Sequence, residues 1–280
     1  SEVTGRTLPW GTLTGIRPTK IPMAFYDSGQ SREEAAEHLR RTYKVSEEKI
    51  CLCTKVAANE KRILTGIDAE RSFSLYVGIP FCPTICLYCS FSSYPLNVWA
   101  KEVNHYLEAL FKEIRQVSRM VDQSCLTTVY MGGGTPTSLN AEQMDRLLCT
   151  LEENFDLNIA REFTIEAGRP DSIDLDKLRV MKGHGIERIS INPQTLNQKT
   201  LDVIGRRHSV EDVEQAFNMA RQVGFSNINM DLILGLPGEN SEDVERTLEG
   251  IRQLAPESMT VHSLAVKRAS RLNQNLELYP

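Results

Sequence analysis

The sequence predicts an α/β protein in which six βα units form a partial barrel behind a helical lead-in. Six short apolar or β-branched runs lie between residues 73 and 266, and helical periodicity fills the intervals. Serial βα units fold into parallel sheets with helical crossovers. Unusual residues stand at the end of every run, where parallel folds gather their sites. Because contributions from six strands require the sheet to curl around one centre, a partial barrel is favoured over a doubly wound sheet.

Residues 1–70 are expected to form the lead-in, since they contain no strand pattern. Residues 8–20 are rich in Pro and Gly and are predicted to be mostly loop. Ser31 and Glu34 have the spacing of a capping box, which predicts the start of a helix. A second helix is expected after Ser46. The lead-in is therefore predicted to be helical.

The six runs predict the strands of the barrel. In chain order they are Phe73–Ile79, Leu126–Met131, Glu162–Ala167, Glu187–Asn192, Ser226–Leu232 and Ser258–Val266. Between them, helical spacing is clearest from Trp99 to Val117. Ser209 and Asp212 predict another capped helix start, and a third helix is expected to begin near Ser241.

Composition limits the classes of protein and partner. The chain has 280 residues, of which 41% are hydrophobic and 25% charged, as in an ordinary globular protein. Its formal net charge of −5 argues against a nucleic-acid partner held by phosphate electrostatics. No apolar run approaches the roughly 20 residues that cross a bilayer, and the first residues contain no apolar signal core. The expectation is a soluble, cytoplasmic protein without a membrane span.

Three of the seven cysteines stand close together, at Cys82, Cys86 and Cys89. Without an export signal, such a group indicates a metal or redox site rather than disulfides. A structural zinc site normally takes four protein ligands, whereas three thiolates suit a [4Fe–4S] cluster with one iron left open. Zinc with a distant fourth ligand and three buried core cysteines remain as alternatives.

Residues at the ends of later runs are candidates for the same site. The glycines at 132–134 let the backbone approach a ligand and expose N–H groups to it, although a bare turn is equally consistent. Glu166 can bind ribose hydroxyls or be an ordinary loop carboxylate, and Asp231 has the same two interpretations. Arg206 can bind a carboxylate or be a solvated helix-end charge. His208 lacks metal-ligand spacing and is interpreted as structural or peripheral.

Taken together, these residues resemble the radical S-adenosylmethionine (SAM) superfamily. The closer resemblance is to the oxygen-independent coproporphyrinogen III oxidase group (coproporphyrinogen dehydrogenases). The matching motifs lie at residues 76–82, 86–91, 132–137 and 231–238, and the resemblance extends over residues 73–266. It implies a partial (βα)6 barrel of the radical SAM type.

The resemblance also implies the cofactors and their ligands. Cys82, Cys86 and Cys89 are implied to hold a [4Fe–4S] cluster. The residues implied to contact SAM are Tyr76, Tyr88, Gly133, Gly134, Thr135, Glu166, Gln194, Arg206, Asp231 and Ala265. A low-potential electron donor such as flavodoxin or ferredoxin is an implied partner, and no residue is assigned a catalytic role beyond cofactor binding.

The implied reaction is the oxidative decarboxylation of coproporphyrinogen III propionates to vinyl groups, which gives protoporphyrinogen IX. Gly78 stands where many members have histidine. Phe91 stands where the coproporphyrinogen enzymes have an additional cysteine, and this difference weakens the inference that the chain acts on the same substrate. Alternatives are a haem-carrying chaperone, a radical SAM methyltransferase and a haem-degrading enzyme. Cationic candidates for the carboxylates of a porphyrinogen are Arg206, Arg207, Lys267 and Arg268.

The resemblance sets the expected domain organisation. Residues 1–70 are expected to be the end of a longer N-terminal region, and residues 71–280 to be the radical SAM core. Because relatives continue past the position of Pro280 into a region that helps to enclose substrate, the chain is expected to lack that region.

Overall fold

The computed structural model describes residue 5, residues 7–15 and residues 17–278. The chain divides into two compact units, Ser1–Ala69 and Glu70–Pro280. Among the described residues, none of the helices combines the length and the apolar character that crossing a bilayer requires.

The first unit contains three helices packed around a small core. They are α1 (Lys20–Asp27), α2 (Arg32–Tyr43) and α3 (Glu47–Leu64). The predicted capping box is confirmed, since the Glu34 N–H donates to Ser31 Oγ at 3.2 Å and the Ser31 N–H donates to Glu34 Oε2 at 2.7 Å. Helix α1 was not expected after the Pro-rich loop. Its Pro22 lies in the first turn, where proline is tolerated because those N–H groups have no partner within the helix.

The second unit is built on a parallel sheet. Its strands are β1 (Phe73–Ile79), β2 (Phe81–Cys82), β3 (Tyr94–Pro95), β4 (Leu126–Gly133), β5 (Glu162–Gly168), β6 (Arg188–Gln194), β7 (Asn227–Leu234) and β8 (Ser258–Ser263). Six of them form one sheet in the order β1-β4-β5-β6-β7-β8, with every neighbouring pair parallel, and β2 pairs with β3 separately. Every crossover steps in the same direction, so the sheet does not reverse as a doubly wound sheet does. The predicted partial barrel is confirmed.

Helices alternate with the strands. They are α4 (Leu96–Trp99), α5 (Val103–Ser118), α6 (Ala141–Asn154), α7 (Leu175–Gly183), α8 (Gln198–Val203), α9 (Val210–Val223), α10 (Ser241–Leu254) and α11 (Arg271–Gln274). Strands β1, β2 and β4 to β7 contribute buried apolar residues, such as Met131, Ile165 and Ile189, to one continuous core, whereas α8 and α11 belong to a second, smaller cluster. Leu147 and Phe217 pack into the same core from α6 and α9. The apolar helix faces thereby leave the carboxyl ends of the strands free for a site.

Several predicted strands differ by one or two residues at an end, and two boundaries differ by more. Strand β8 ends at Ser263, so Ala265 lies in the loop after the strand rather than within it. The helix predicted from Trp99 begins instead at Val103, after α4 and a short 3-10 turn. Trp99 packs edge-on against Tyr94, with ring centroids 5.2 Å apart, and therefore does not take part in the apolar face of α5.

The start of α10 provides a test of local folding. Asn240 Oδ1 accepts hydrogen bonds from the N–H groups of Glu242 at 2.9 Å and Asp243 at 3.1 Å. We expect Asn240→Ala to lower the free energy of unfolding by about 1 kcal/mol, because two N–H groups of the first turn lose their acceptor. Chemical denaturation followed by circular dichroism measures this. Ser241→Ala is the matched control, since Ser241 is an exposed first residue of α10. Equal losses for both variants would contradict the assigned cap.

Candidate functional site

A cavity of about 670 Å³ in the second unit is lined by strands β4 to β8 and by the loops that follow their carboxyl ends. All three clustered cysteines line it. So do nine of the ten residues that the resemblance implies for SAM, namely Tyr88, Gly133, Gly134, Thr135, Glu166, Gln194, Arg206, Asp231 and Ala265. Tyr76 lies in a smaller adjoining pocket that Gly133, Gly134 and Glu166 also line. Residues separated by up to 183 positions in the sequence, from Cys82 to Ala265, therefore meet in one place.

The cysteine loop, residues 82–93, begins at the end of β2. It is anchored from two sides, because the Leu87 N–H donates to Ile204 O at 2.9 Å and the Leu272 N–H donates to Leu87 O at 2.8 Å. Cys82 and Cys86 are buried, whereas Cys89 is partly exposed. Burial raises the pKa of the Cys82 thiol, which a hydroxyl hydrogen bond partly offsets. A metal that binds thiolates must therefore displace a firmly held proton at Cys82.

The spacing of the three sulfurs distinguishes between the candidate metals. Across the described residues, the sulfurs of Cys82, Cys86 and Cys89 do not all lie within 4.8 Å of one another. Two thiolates on one tetrahedral zinc ion lie about 3.8 Å apart, given a Zn–S distance of about 2.3 Å. A cluster of several irons spreads its ligands more widely. This spacing disfavours a single zinc ion held by all three thiolates.

The glycine loop, residues 132–137, packs directly on the cysteine loop. The Gly134 N–H donates to Ile79 O at 2.7 Å, and the Thr135 N–H donates to Phe81 O at 2.8 Å. Thr135 Oγ1 also donates to Cys82 Sγ at 3.5 Å. The sequence analysis expected this segment to expose N–H groups to a ligand. That expectation is wrong for these two N–H groups, because both are bonded within the protein. The missing side chain serves close backbone packing instead, since a Cβ on Gly134 would lie 2.6 Å from Phe81 O.

Two carboxylates line the cavity and interact electrostatically. Glu166 extends from β5, and its Oε1 accepts a hydrogen bond from the Tyr130 hydroxyl at 2.5 Å. Asp231 extends from β7, and its Oδ1 accepts from Asn229 Nδ2 at 2.6 Å. Burial raises the pKa of Glu166, the Tyr130 hydrogen bond opposes this, and Asp231 adds to it, so that the net shift is upward. Tyr76 stacks on Tyr130 with ring centroids 6.0 Å apart. The wall is thus acidic and bordered by aromatic rings.

Two buried arginines also line the cavity, near Cys86. Arg206 donates to a main-chain carbonyl and lies beside Tyr88 and Cys86, whose interactions outweigh burial and raise its pKa. Arg169 Nη1 lies 4.0 Å from Cys86 Sγ, and its Nη2 donates to Asp171 Oδ2 at 2.6 Å. Burial excludes the interpretation of Arg206 as a solvated helix-end charge. Two guanidinium groups therefore lie beside the Cys86 sulfur.

His208 lies behind these arginines and is fully buried. Burial, and then the positive charge of Arg206, lowers the pKa of His208 to about 4, so the ring is neutral at pH 7. Its Nδ1 is 4.0 Å from Asp171 Oδ1. The structure thus places His208 in the supporting layer of the site, beside the arginines.

Strand β6 presents three polar side chains on one face to the cavity. Among the described residues, Ser190 Oγ, Asn192 Oδ1 and Gln194 Oε1 are buried and without a hydrogen-bond partner, as is Arg206 Nε. Each buried unpaired group costs about 1–3 kcal/mol unless a ligand or solvent satisfies it. Gln194 also has a φ of 70°, in the left-handed region that a non-glycine residue seldom adopts. Such features concentrate where a protein is shaped around a polar ligand.

Sequence reasoning missed some residues of the cavity and misjudged others. Arg169 and Asn192 line the cavity but were not selected, although both follow apolar strand residues near a strand end. Of the four cations considered for substrate carboxylates, Arg206 is buried and Lys267 lines the cavity. Arg207 is exposed and, within the described chain, does not contribute to the cavity lining; the same holds for Arg268.

Glu166 makes the stability of the chain depend on pH in a defined direction. Its folded-state pKa is raised above the ordinary carboxyl value of 4.5, so the folded chain binds this proton more tightly than the unfolded chain. The free energy of unfolding therefore falls as pH rises from that value through the raised pKa. We expect Glu166→Gln, in the chain isolated without cofactors, to be more stable than the parent at pH 7 and to converge with it in acid.

Denaturation midpoints measured from acid to neutral pH test this expectation. Tyr130→Phe should act in the opposite direction at pH 7, because it removes the hydrogen bond that stabilises the Glu166 carboxylate. Glu214→Gln is the control, since that side chain is exposed on α9 and lies outside the lining of the cavity. Loss of stability in Glu166→Gln at neutral pH would contradict the assigned electrostatics.

Comparison with known proteins gives close relatives. The chain is 42% identical over 280 residues to the oxygen-independent coproporphyrinogen-III oxidase-like protein HemZ of Bacillus subtilis (strain 168), covering 99% of this chain and 56% of the relative. It is 38% identical over 198 residues to the heme chaperone HemW of the same organism, covering 69% of this chain and 51% of the relative. The chain thus spans about half the length of the curated relatives it matches.

A solved structure and a family match complete the comparison. Coproporphyrinogen III oxidase (HemN) from Escherichia coli superposes with a TM-score of 0.64 at 30% identity, covering 76% of this chain and 53% of that chain. Residues 76–251 match the radical SAM superfamily, whose cofactors are a [4Fe–4S] cluster and SAM. The match covers more than half of the chain and contains all three clustered cysteines. The expected fold type and cofactors are confirmed, and the chain belongs to the radical SAM superfamily.

Proposed function

We propose that Cys82, Cys86 and Cys89 hold the [4Fe–4S] cluster and that the surrounding strand ends bind SAM. The observation that carries this proposal is the convergence of the three thiols with residues from β4 to β8 on one cavity. When bound, the cluster and SAM supply electron transfer and a radical that abstracts hydrogen. The protein contributes binding, orientation and the exclusion of water.

The charges of the cavity match those of SAM. SAM combines a carboxylate with an ammonium group, a sulfonium and ribose hydroxyls. Arg206 is placed to attract the carboxylate, and its Nε lacks a partner among the described residues. Glu166 and Asp231 offer acceptors to hydroxyls and negative charge to the cationic part. Tyr76, Tyr88, Gly133, Gly134, Thr135, Gln194 and Ala265 complete the proposed SAM contacts.

For the reaction we propose oxidative decarboxylation of coproporphyrinogen III, supported by the similarity to the oxidase HemN and to HemZ. One hydrogen atom leaves a propionate side chain, and loss of carbon dioxide with one further electron leaves a vinyl group. Two such rounds give protoporphyrinogen IX. The first electron comes from a low-potential donor of the flavodoxin or ferredoxin type, and a one-electron acceptor takes the last. Lys267 lines the cavity in the loop after β8 and is the proposed partner of a substrate carboxylate.

A haem-carrying chaperone is the second candidate. Its support is the 38% identity to HemW over 69% of the chain, which is similar in extent to the match with HemN. In this function the same thiols would hold a cluster, but haem would be bound without turnover. The two functions differ in product, so product analysis separates them.

Gly134 provides a test of the cluster site. A Cβ at this position would meet Phe81 O at 2.6 Å and Cys82 Sγ at 3.0 Å. We expect Gly134→Ala to lose most of its iron and sulfide after anaerobic reconstitution, because the cysteine loop must move to relieve the contact. Gly183→Ala is the matched control, since a Cβ there meets nothing within 4 Å. Full cluster content in Gly134→Ala would show that the contact does not shape the site.

Product analysis tests the proposed reaction. The reconstituted chain is incubated without oxygen with coproporphyrinogen III, SAM and a reductant, and tetrapyrroles and nucleosides are separated by chromatography. We expect vinyl products together with 5′-deoxyadenosine, and neither from Cys86→Ser. Cys125→Ser, which removes a partly exposed cysteine away from the three clustered ones, should behave as the parent.

The other outcomes assign the function differently. Stoichiometric haem binding without 5′-deoxyadenosine formation from coproporphyrinogen III would replace the oxidase with the chaperone. Methyl transfer or opening of a haem ring would indicate a methyltransferase or a haem-degrading enzyme. A parent chain that reconstitutes without any iron would contradict the cluster assignment itself.

A further inference from the structure

A group of metal-ligating side chains lies on the helical layer, apart from the cavity. Asp145, Cys149 and Glu152 stand at positions i, i+4 and i+7 of α6, and therefore share one helix face. His184, the residue that ends α7, completes the group. One ligand atom each of Asp145, Cys149 and His184 lies within 4.8 Å of the other two.

The histidine ring is held between two carboxylates. Its Nε2 is 3.0 Å from Asp145 Oδ1, and its Nδ1 is 2.8 Å from Glu152 Oε1. In zinc sites, a coordinating imidazole almost always donates its other N–H to a carboxylate or a carbonyl, which fixes the ring and its tautomer. Glu152 occupies this position, so that Nε2 of His184 is directed towards Asp145.

We propose that Asp145, Cys149 and His184 form a zinc site. A thiolate, an imidazole and a carboxylate are the three ligand types that Zn²⁺ takes in proteins. Because Asp145 is exposed and the other two residues are partly exposed, water can enter as the fourth ligand. Glu152 positions the imidazole and does not bind the metal.

The surrounding charges favour a cation at this point. The carboxylates of Asp145, Glu152 and Glu153 lie near the Cys149 thiol and give this point a negative potential. The basic residues of the two helices are directed elsewhere: Arg146 pairs with Glu108, Lys177 donates to Thr137 O and Ser172 O, Arg179 pairs with Asp176, and Lys182 lies over Phe225. On α6 and α7 as described, His184 is thus the cation available to the three carboxylates. A divalent ion would balance this charge.

The site would link two helices of the outer layer. Helix α7 also bears Lys177, whose Nζ donates to Thr137 O in the glycine loop at 2.8 Å. A zinc ion between α6 and α7 would therefore restrain a helix that supports the cavity from behind. Its expected effect is on stability rather than on turnover.

Zinc content is the direct test. The anaerobically reconstituted chain is dialysed against zinc-buffered solutions, and zinc, iron and sulfide are measured in the same sample, so that the cluster thiols are accounted for. We expect stoichiometric zinc in the parent and in Cys125→Ser. Cys149→Ser and His184→Gln should lose zinc while keeping iron. Glu152→Gln should weaken zinc binding by about 10- to 100-fold, as loss of a carboxylate behind a ligating histidine does.

The unfolding temperature of the parent chain, measured with increasing zinc, tests the site independently of metal analysis. Zinc that binds the folded chain should raise the unfolding temperature of the parent in a concentration-dependent way, and not that of His184→Gln. Absence of zinc from a folded parent would overturn the proposal, since the two carboxylate contacts would then account for the position of the His184 ring. Zinc that stays bound in both Cys149→Ser and His184→Gln would overturn it as well.

Discussion

The close contact between the glycine loop and the cysteine loop is the constraint on which the site depends. Two main-chain hydrogen bonds, from the N–H groups of Gly134 and Thr135, join the end of β4 to the segment that carries Cys82. The separation is too small for a side chain at position 134. Because the sheet is wound in one direction, this contact places the thiols above the same strand ends that carry the carboxylates. Fold and site are thus coupled through backbone packing.

The cavity combines charges of opposite sign. Arg169 and Arg206 lie by Cys86, and Glu166 and Asp231 line the same cavity from β5 and β7. Each of these groups is buried or partly buried, so their interactions are weakly screened by solvent. The arrangement disfavours a ligand of a single charge sign and favours one that carries both an anionic and a cationic centre. This argument is independent of the cysteine spacing and leads to the same cofactor.

Local signals were sufficient for much of the fold. The capping boxes at Ser31 and Ser209 depend on residues three positions apart, and the strands depend on short apolar runs, so both were visible in the sequence. The burial of Arg206 and the contact of Arg169 with Cys86 depend on segments far apart in the chain. The group around His184 also joins two helices, and no spacing within one segment reveals it. The features that sequence reasoning missed are tertiary contacts between segments that are distant in the chain.

The unpaired polar groups of the cavity must be offset elsewhere in the second unit. Ser190, Asn192 and Gln194 present unsatisfied oxygens, and Gln194 adds a left-handed backbone conformation. These costs lie at the carboxyl edge of the sheet, where they preorganise a ligand site. The continuous apolar core and the capped helices lie between and around the strands and the helical layer, where no ligand has to be accommodated. The proposed zinc ion between α6 and α7 would add to the stability of this helical layer. Stability in the helical layer therefore permits a destabilised, polar edge on which a cofactor can be bound.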